Sequence, residues 1–217
     1  MKTKNFRKLH NNRFQFIKLH DTNDHTTILN ENSKILISCP HAVSQVRNGI
    51  RKFSEIGAAT TVLELNYRTN ANFIIKTKNN FDDANFDIES PYKQSVLGIV
   101  KKYNIKYFLD FHGLGAHREM DINLGCNFGQ NIKPNEKAFD SLVKMLTSNG
   151  FSVTVDTPFK AGGNTVSNFV RANTNIFALQ IEINCGLTNN SKHSKKFNLL
   201  IDIFEDYINY LEKIAKK

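Results

Sequence analysis

The chain has 217 residues and a mass of 24.8 kDa, enough to bury a core without disulfide or metal staples. Its composition, 40% hydrophobic and 23% charged with Gly 11 and Pro 4, excludes collagen-like, low-complexity and disordered classes. Lys+Arg 29 against Asp+Glu 20 gives a net charge of +9, but the lysines are spread along the chain and gather mainly at its termini, and no RNP-like or zinc-finger pattern occurs, so no specific nucleic-acid partner is expected. Three cysteines, Cys39, Cys126 and Cys185, lie far apart with no CxxC pair, which argues for a reducing compartment. The start, MKTKNFRKLHNNRF, is basic and polar, and no uncharged apolar run approaches the roughly 18 residues of a membrane span, so a soluble cytoplasmic protein with no membrane partner is expected.

No repeat and no Pro/Gly/Ser-rich linker divides residues 1–217, which therefore read as one domain. Residues 14–19 and 26–30 flank a turn-rich stretch and predict an antiparallel pair. The run 34–39 (KILISC) is too short for a helix and reads as a buried strand ended by Pro40. Helical spacing follows at 58–67, a strand at 72–77 (NFIIKT), an amphipathic helix at 91–103 opened by Pro91, and a buried strand at 106–111 (KYFLDF). A strand at 120–125, a helix at 135–148, a strand at 151–155, a core strand at 176–183 (IFALQIEI) and a long amphipathic helix at 195–215 complete the chain. Strands separated by helices of ten or more residues imply an α/β fold with a mostly parallel or mixed sheet covered on both faces.

In such a sheet ligands bind beyond the carboxyl ends of the strands. There the sequence is unusually polar. Pro40-His41 follows the first buried strand, His112-Gly113 follows the second, and Gln180, Glu182 and Asn184 alternate with Leu179, Ile181 and Ile183 on the last. Each polar residue alone has an ordinary structural explanation, as a turn cap or a satisfied buried group. Together they place two imidazoles and a carboxylate at one sheet edge, where a buried Glu requires a cation or a reacting group to answer it. Asp110, two residues before His112 and on the same side of the strand, is placed to accept the other ring N–H.

The segments ILISCPHA, FLDFHGLGAHREMDINLG, PFKAGGNTVSNFV and ALQIEIN, spread over roughly residues 34 to 187, resemble the ordered motifs of the N-formylglutamate amidohydrolase family, relatives of the zinc carboxypeptidases and aspartoacylases. The resemblance implies a single-domain, phosphorylase/hydrolase-like fold, a twisted, mixed and mostly parallel sheet with helices on both faces, and a catalytic Zn²⁺ held by His41 and His112 with a carboxylate, Glu55 or else Glu64. The carboxypeptidase spacing would place that carboxylate at position 44, where this chain has Ser44. Two His and one carboxylate leave a fourth zinc position open to water, with the pKa of that water lowered toward 7. Glu182 is then the general base and proton shuttle. Arg118 serves a developing oxyanion or a substrate carboxylate, Arg171 does the same beyond the Gly162-Gly163 pair, and Gly163 and Asn164 belong to a rim over the substrate. His117 is an alternative ligand or substrate contact.

The implied activity is hydrolysis of an N-acyl amino acid or related small amide. The family's Asn-Arg pair before the second helix is absent, and the acidic stretch 82–87 (DDANFD) is expected to disfavour a substrate carboxylate such as that of formylglutamate. Competing readings are a zinc carboxypeptidase-like peptidase, a cysteine hydrolase using Cys39, and a non-enzymatic basic binding protein. Cys39 lies too close to His41 in sequence to face it across a cleft, and a binding protein has no use for His41, His112 and Glu182 at strand ends.

Overall fold

The computed structural model describes residues 25–189 and 194–216. In chain order the elements are β1 (His25–Ile28), β2 (Ile35–Cys39), a hairpin of β3 (Gln45–Arg47) and β4 (Ile50–Lys52), α1 (Ile56–Arg68), β5 (Asn72–Lys76), α2 (Pro91–Lys102) and β6 (Tyr107–Leu114). Then come β7 (Ile122–Gly125), a 3-10 turn (Lys133–Asn135), α3 (Glu136–Ser148), β8 (Val153–Val155), α4 (Val166–Thr174), β9 (Phe177–Asn184), α5 (Cys185–Asn189) and α6 (Ser194–Ala215). Seven strands form one sheet in the order β1-β5-β2-β6-β9-β7-β8. β5, β2, β6 and β9 run parallel, β1 is antiparallel on β5, and β7 is antiparallel on β9 with β8 parallel beside it. The α/β class and the mostly parallel mixed sheet are those expected from the sequence. The strand at 14–19 lies outside the described residues.

The central strands read as apolar runs because both sheet faces are covered. One face carries Ile35, Ile37, Leu109, Phe111, Leu179 and Ile181 under α1, α3 and α6. The other carries Leu36, Ile74, Phe108 and Ala178 under α2 and α4. This second core is the smaller and stops short. Beyond Phe108 and Ala178 the same face continues as Asp110, His112, Gln180 and Glu182, all buried and paired across the register as Asp110↔Gln180 and His112↔Glu182. Period-two alternation thus turns the carboxyl half of this face into a polar floor.

Three features differ from the sequence expectation. β6 runs on to Leu114, so His112 lies within the strand rather than after it, because pairing with β9 persists to Leu114↔Asn184. The β3–β4 hairpin was not anticipated, although Asn48-Gly49 supplies its signal: both residues take positive φ, 52° and 74°, as a tight hairpin turn demands. Helix α4 was also not anticipated. Its sequence, VSNFVRANT, is short and largely polar, and it forms because Thr165 caps it by accepting the Asn168 N–H while Val166 and Val170 enter the smaller core.

Candidate metal centre

β2 ends at Pro40-His41, and the chain then makes its hairpin excursion and returns. The return is closed by a backbone bond in which the Glu55 N–H donates to the His41 carbonyl at 2.8 Å. That bond places Glu55, immediately before α1, beside the first imidazole. Glu55 Oε1 lies 2.9 Å from His41 Nδ1, and its Oε2 lies 3.4 Å from His112 Nδ1 and accepts the Gly113 N–H at 2.8 Å. Glycine at 113 eases this approach, since a Cβ there would stand 3.0 Å from Glu55 Cβ and 3.2 Å from its Cγ and push Glu55 back by a few tenths of an ångström. One ligand atom from each of His41, Glu55 and His112 falls within 4.8 Å of the others.

The far side of each ring is held by a carboxylate. His41 Nε2 lies 2.8 Å from Asp83 Oδ1, and His112 Nε2 lies 3.1 Å from Asp110 Oδ2. With protons on both Nε2 atoms, the two Nδ1 lone pairs face each other at 3.3 Å and face Glu55. Three acceptors that converge in this way require a cation among them. Protons can be that cation. Burial alone would lower the His41 pKa, but the Glu55 charge and the Asp83 hydrogen bond raise it to about 9. For His112, burial again opposes and Asp110 prevails, raising it well above the ordinary imidazole value. Glu55, which burial would raise, is held at about 2 by the two imidazoles. Two imidazole nitrogens and a carboxylate oxygen, with both rings oriented by a second carboxylate, are also the donor set of a catalytic zinc site, so the residues fit that ion.

Glu182 is buried on β9, one strand over from His112, and stands outside the three-residue cluster. Its Oε1 accepts from Gln180 Nε2 at 2.9 Å, and Gln180 Oε1 in turn accepts from Asn85 Nδ2 at 3.3 Å. Burial pushes the Glu182 carboxyl up to about 7 against the pull of His112. The Cys39 thiol is likewise raised far above its usual value, first by burial and then by Glu55 and Asp110. It is a neutral filler of the core rather than an activated nucleophile.

Other residues singled out by sequence sit elsewhere. Glu64 is buried in α1 and pairs with Arg68 at 3.1 Å. The Ser44 hydroxyl accepts from Asn79 Nδ2 at 3.0 Å. Arg118 is exposed, with its guanidinium 6.0 Å from the Phe159 ring, and Arg171 Nε donates to the Gln130 carbonyl at 2.9 Å. His117 is exposed against Gly115, and Asn164 Nδ2 donates to the Phe86 carbonyl at 3.0 Å beside Gly163. Asn184 ties the Arg118 and Met120 carbonyls at 2.9 Å each. None of these seven side chains, nor Gly163, lines the cleft above the cluster, which is about 940 Å³ and bounded by Arg47, Phe53, Phe159, Lys160, Gly162 and Thr165 among others.

The acidic stretch 82–87 is engaged within the fold. Asp82 pairs with Lys76, Asp83 is shared between His41 and Arg47, and Asp87 Oδ2 accepts the Asp83 N–H at 2.7 Å. Two of its three carboxylates thus face cations and the third accepts a backbone N–H. Asp83 and Arg47 are the residues sequence reasoning missed. His41 and Arg47 hold the Asp83 carboxyl well below the usual carboxylate range in spite of its burial.

The fold has precedent among solved structures. The chain shares its fold with an N-formylglutamate amidohydrolase. That protein, from Ralstonia eutropha JMP134, is 13% identical with a TM-score of 0.64 over 89% of this chain and 98% of its own. A bacteriophage poly-gamma-glutamate hydrolase is 13% identical with a TM-score of 0.57 over 89% of this chain and 92% of its own. A metallo-carboxypeptidase from Pseudomonas aeruginosa is 14% identical with a TM-score of 0.53 over 88% of this chain but 60% of its own. No protein-family model and no curated protein matches the sequence. The likeness to the amidohydrolase is thus one of fold.

Proposed function

We propose that the chain is a zinc-dependent amide hydrolase acting on an N-acyl amino acid or a short peptide. The observation that carries the reading is the convergence of His41 Nδ1, His112 Nδ1 and a Glu55 oxygen, with both Nε2 atoms engaged by Asp83 and Asp110. Three similar structures named as an amidohydrolase, a hydrolase and a metallo-carboxypeptidase support it. When bound, zinc supplies the Lewis acidity that polarises an amide carbonyl and acidifies water.

The chain's own residues do the rest. His41, His112 and Glu55 hold the ion, and Asp83 and Asp110 fix the ring orientation. Glu182 takes a proton from the attacking water at its carboxylate and returns it to the leaving amine, work suited to a carboxyl raised to about 7. Gln180 keeps that carboxylate in place through Oε1. The cleft, about 940 Å³, is at the upper end of the roughly 300–1,000 Å³ of small-molecule sites and exceeds what a formylated amino acid fills, so a larger acyl group or a peptide suits it better. Three free thiols, Cys39, Cys126 and Cys185, accord with a cytoplasmic setting, and among the described residues no helix is long and apolar enough to cross a membrane.

The test is a panel of formyl, acetyl and longer acyl amino acids and short peptides, offered to zinc-loaded protein. Glu182→Gln should keep fold and zinc while turnover falls by about 10² to 10⁴, the range for lost general acid–base catalysis. His112→Ala should lose the metal, measured by elemental analysis. Zinc-loaded protein that cleaves nothing on the panel, or a Glu182→Gln variant with unchanged turnover, overturns the mechanism.

A further inference from the structure

Most phenylalanines of this chain lie inside it, as Phe73, Phe108, Phe111 and Phe177 do. Those exposed among the described residues are Phe53, Phe81, Phe86, Phe128 and Phe159, and all of them lie in the cleft or on loops tied to its walls. Phe53 and Phe159 line it. Phe86 follows the lining residue Asn85 and lies 4.8 Å from the guanidinium of Arg47, and Phe128 lies 5.4 Å from Lys160 Nζ, both cations being lining residues too. Phe81 precedes Asp82, whose carbonyl accepts the Val46 N–H of the β3–β4 hairpin at 3.2 Å. Phe53 is 93% exposed and Phe128 71%, so no core holds either ring. Large apolar side chains scattered singly over a surface mean little, but gathered around one mouth they mark a contact surface.

Cations stand among these rings. Arg51 and Lys52 precede Phe53, Lys78 precedes Phe81, Lys160 follows Phe159, and the Arg118 guanidinium lies 6.0 Å from the Phe159 ring, all five side chains being exposed. The carboxylates of 82–87 face Lys76, Arg47 and a backbone N–H, which leaves Glu89 and Glu119 as the exposed carboxylates of the same loops. The mouth is therefore positive as well as apolar. Residues 1–24 join the fold on this side, since His25 pairs with Lys76 at the carboxyl end of β5, where the loop carrying Phe81 and Phe86 begins. Their sequence holds six Lys and Arg against two Asp, so it has the charge of the mouth rather than its complement.

We propose that the mouth of the cleft docks on an anionic lipid bilayer, with the phenylalanines entering the headgroup layer and the lysines and arginines meeting lipid phosphates. Phenylalanine beside Lys and Arg is the composition of an interfacial contact, the ring joining the acyl boundary while the cation stays at the charged surface. A second copy of the chain would bring like charges together, and the Trp and Tyr that anchor protein partners do not line this cleft. The expectation of no membrane partner rests on the lack of a spanning segment, which a surface contact does not need. The proposal stands apart from the hydrolase reading, because docking is measured without a substrate.

The experiment uses the full zinc-loaded chain and vesicles of phosphatidylcholine, alone or mixed with an equal amount of phosphatidylglycerol, with binding read by co-sedimentation. The chain should bind the mixed vesicles about tenfold or more tightly than the neutral ones, and added salt should shrink that preference. Phe53→Ser combined with Phe128→Ser should weaken binding to mixed vesicles by about 10- to 100-fold, as for two rings withdrawn from a partly apolar layer. Lys52→Ala with Lys160→Ala should weaken it about tenfold, whereas Lys101→Ala with Lys102→Ala, at the far end of α2, should leave it within about twofold of wild type. Because the chain has no Trp, Phe53→Trp is a single reporter whose emission should move to the blue on mixed vesicles and be quenched by brominated lipid, while Tyr67→Trp, exposed on α1, should not respond. No binding to mixed vesicles, or an unmoved Phe53→Trp emission, overturns the proposal. So does a serine pair that binds like wild type, or equal losses for the two lysine pairs, since plain adsorption of a chain of charge +9 predicts both. Tighter binding of a single-stranded oligothymidylate than of vesicles, lost with the serine pair, also overturns it and reassigns the mouth to nucleic acid.

Discussion

Asp83 divides one carboxylate between the ring of His41 and the guanidinium of Arg47, and it lies 42 residues from the first and 36 from the second in sequence. Asp83→Asn preserves shape and one acceptor but removes the charge that holds both partners. Losing an outer partner of a metal-binding histidine costs about 10- to 100-fold in metal affinity, so zinc should bind that much more weakly in this variant. A chelator-competition titration reads this directly, and wild-type affinity would show that Asp83 acts only as a loop staple. At and beside the cluster, His41, His112 and Glu182 were legible: the first follows a buried strand and the other two lie toward the carboxyl ends of such strands, where polar groups stand out against apolar neighbours. Asp83 was not. Within DDANFD it is indistinguishable from a solvated turn, and only the folding of that loop against β2 and the hairpin reveals which of its carboxylates turns inward.

At the scale of elements, α1 packs against the short α5 through Gly57, and this contact reverses an ordinary expectation. Alanine is favoured over glycine in a helix, by about 1 kcal/mol in the interior and by less in the first turn, where Gly57 lies. Here a Cβ at 57 would overlap Thr188 Oγ1 and stand 2.9 Å from Thr188 Cβ, inside any real contact distance. Overpacking of this kind costs about 1–3 kcal/mol, so Gly57→Ala should be net destabilising, seen as a lower urea midpoint with unchanged slope. A raised midpoint would mean that α5 yields freely. The same scale explains which elements the sequence disclosed. β2, β6 and β9 are buried on both faces and open on apolar runs, Ile35-Leu36-Ile37, Tyr107-Phe108-Leu109 and Phe177-Ala178-Leu179, whereas α4 buries little more than Val166 and Val170 and leaves no periodic stripe long enough to read. β6 was read too short because His112 and Gly113 look like a strand's end, when it is the partner strand β9 that decides where pairing stops.

Across the whole molecule the two cores have different jobs. The larger, under α1, α3 and α6, fills the entire length of the strands, while the smaller ends at Phe108 and Ala178 and gives its remaining floor to the site. The metal ligands stand at the junction of elements that meet only when the sheet is complete: Glu55 is 14 residues from His41, and His112 is 71 residues from it. An unfolded chain cannot hold three ligands so spaced in one place, so zinc binds the folded state selectively and must stabilise it. At a free zinc concentration about 100 times the dissociation constant the gain is about 2.7 kcal/mol. For a chain of this size each kcal/mol moves the midpoint by about 2–4 °C, so zinc should raise Tm by roughly 5–11 °C and EDTA should abolish the rise. The ligand variant His112→Ala separates specific from adventitious binding. Its own midpoint shifts because a buried, doubly hydrogen-bonded ring is lost, but that midpoint should no longer respond to zinc. A wild-type Tm indifferent to both zinc and EDTA would show that protons, rather than a metal, satisfy the His41–Glu55–His112 cluster.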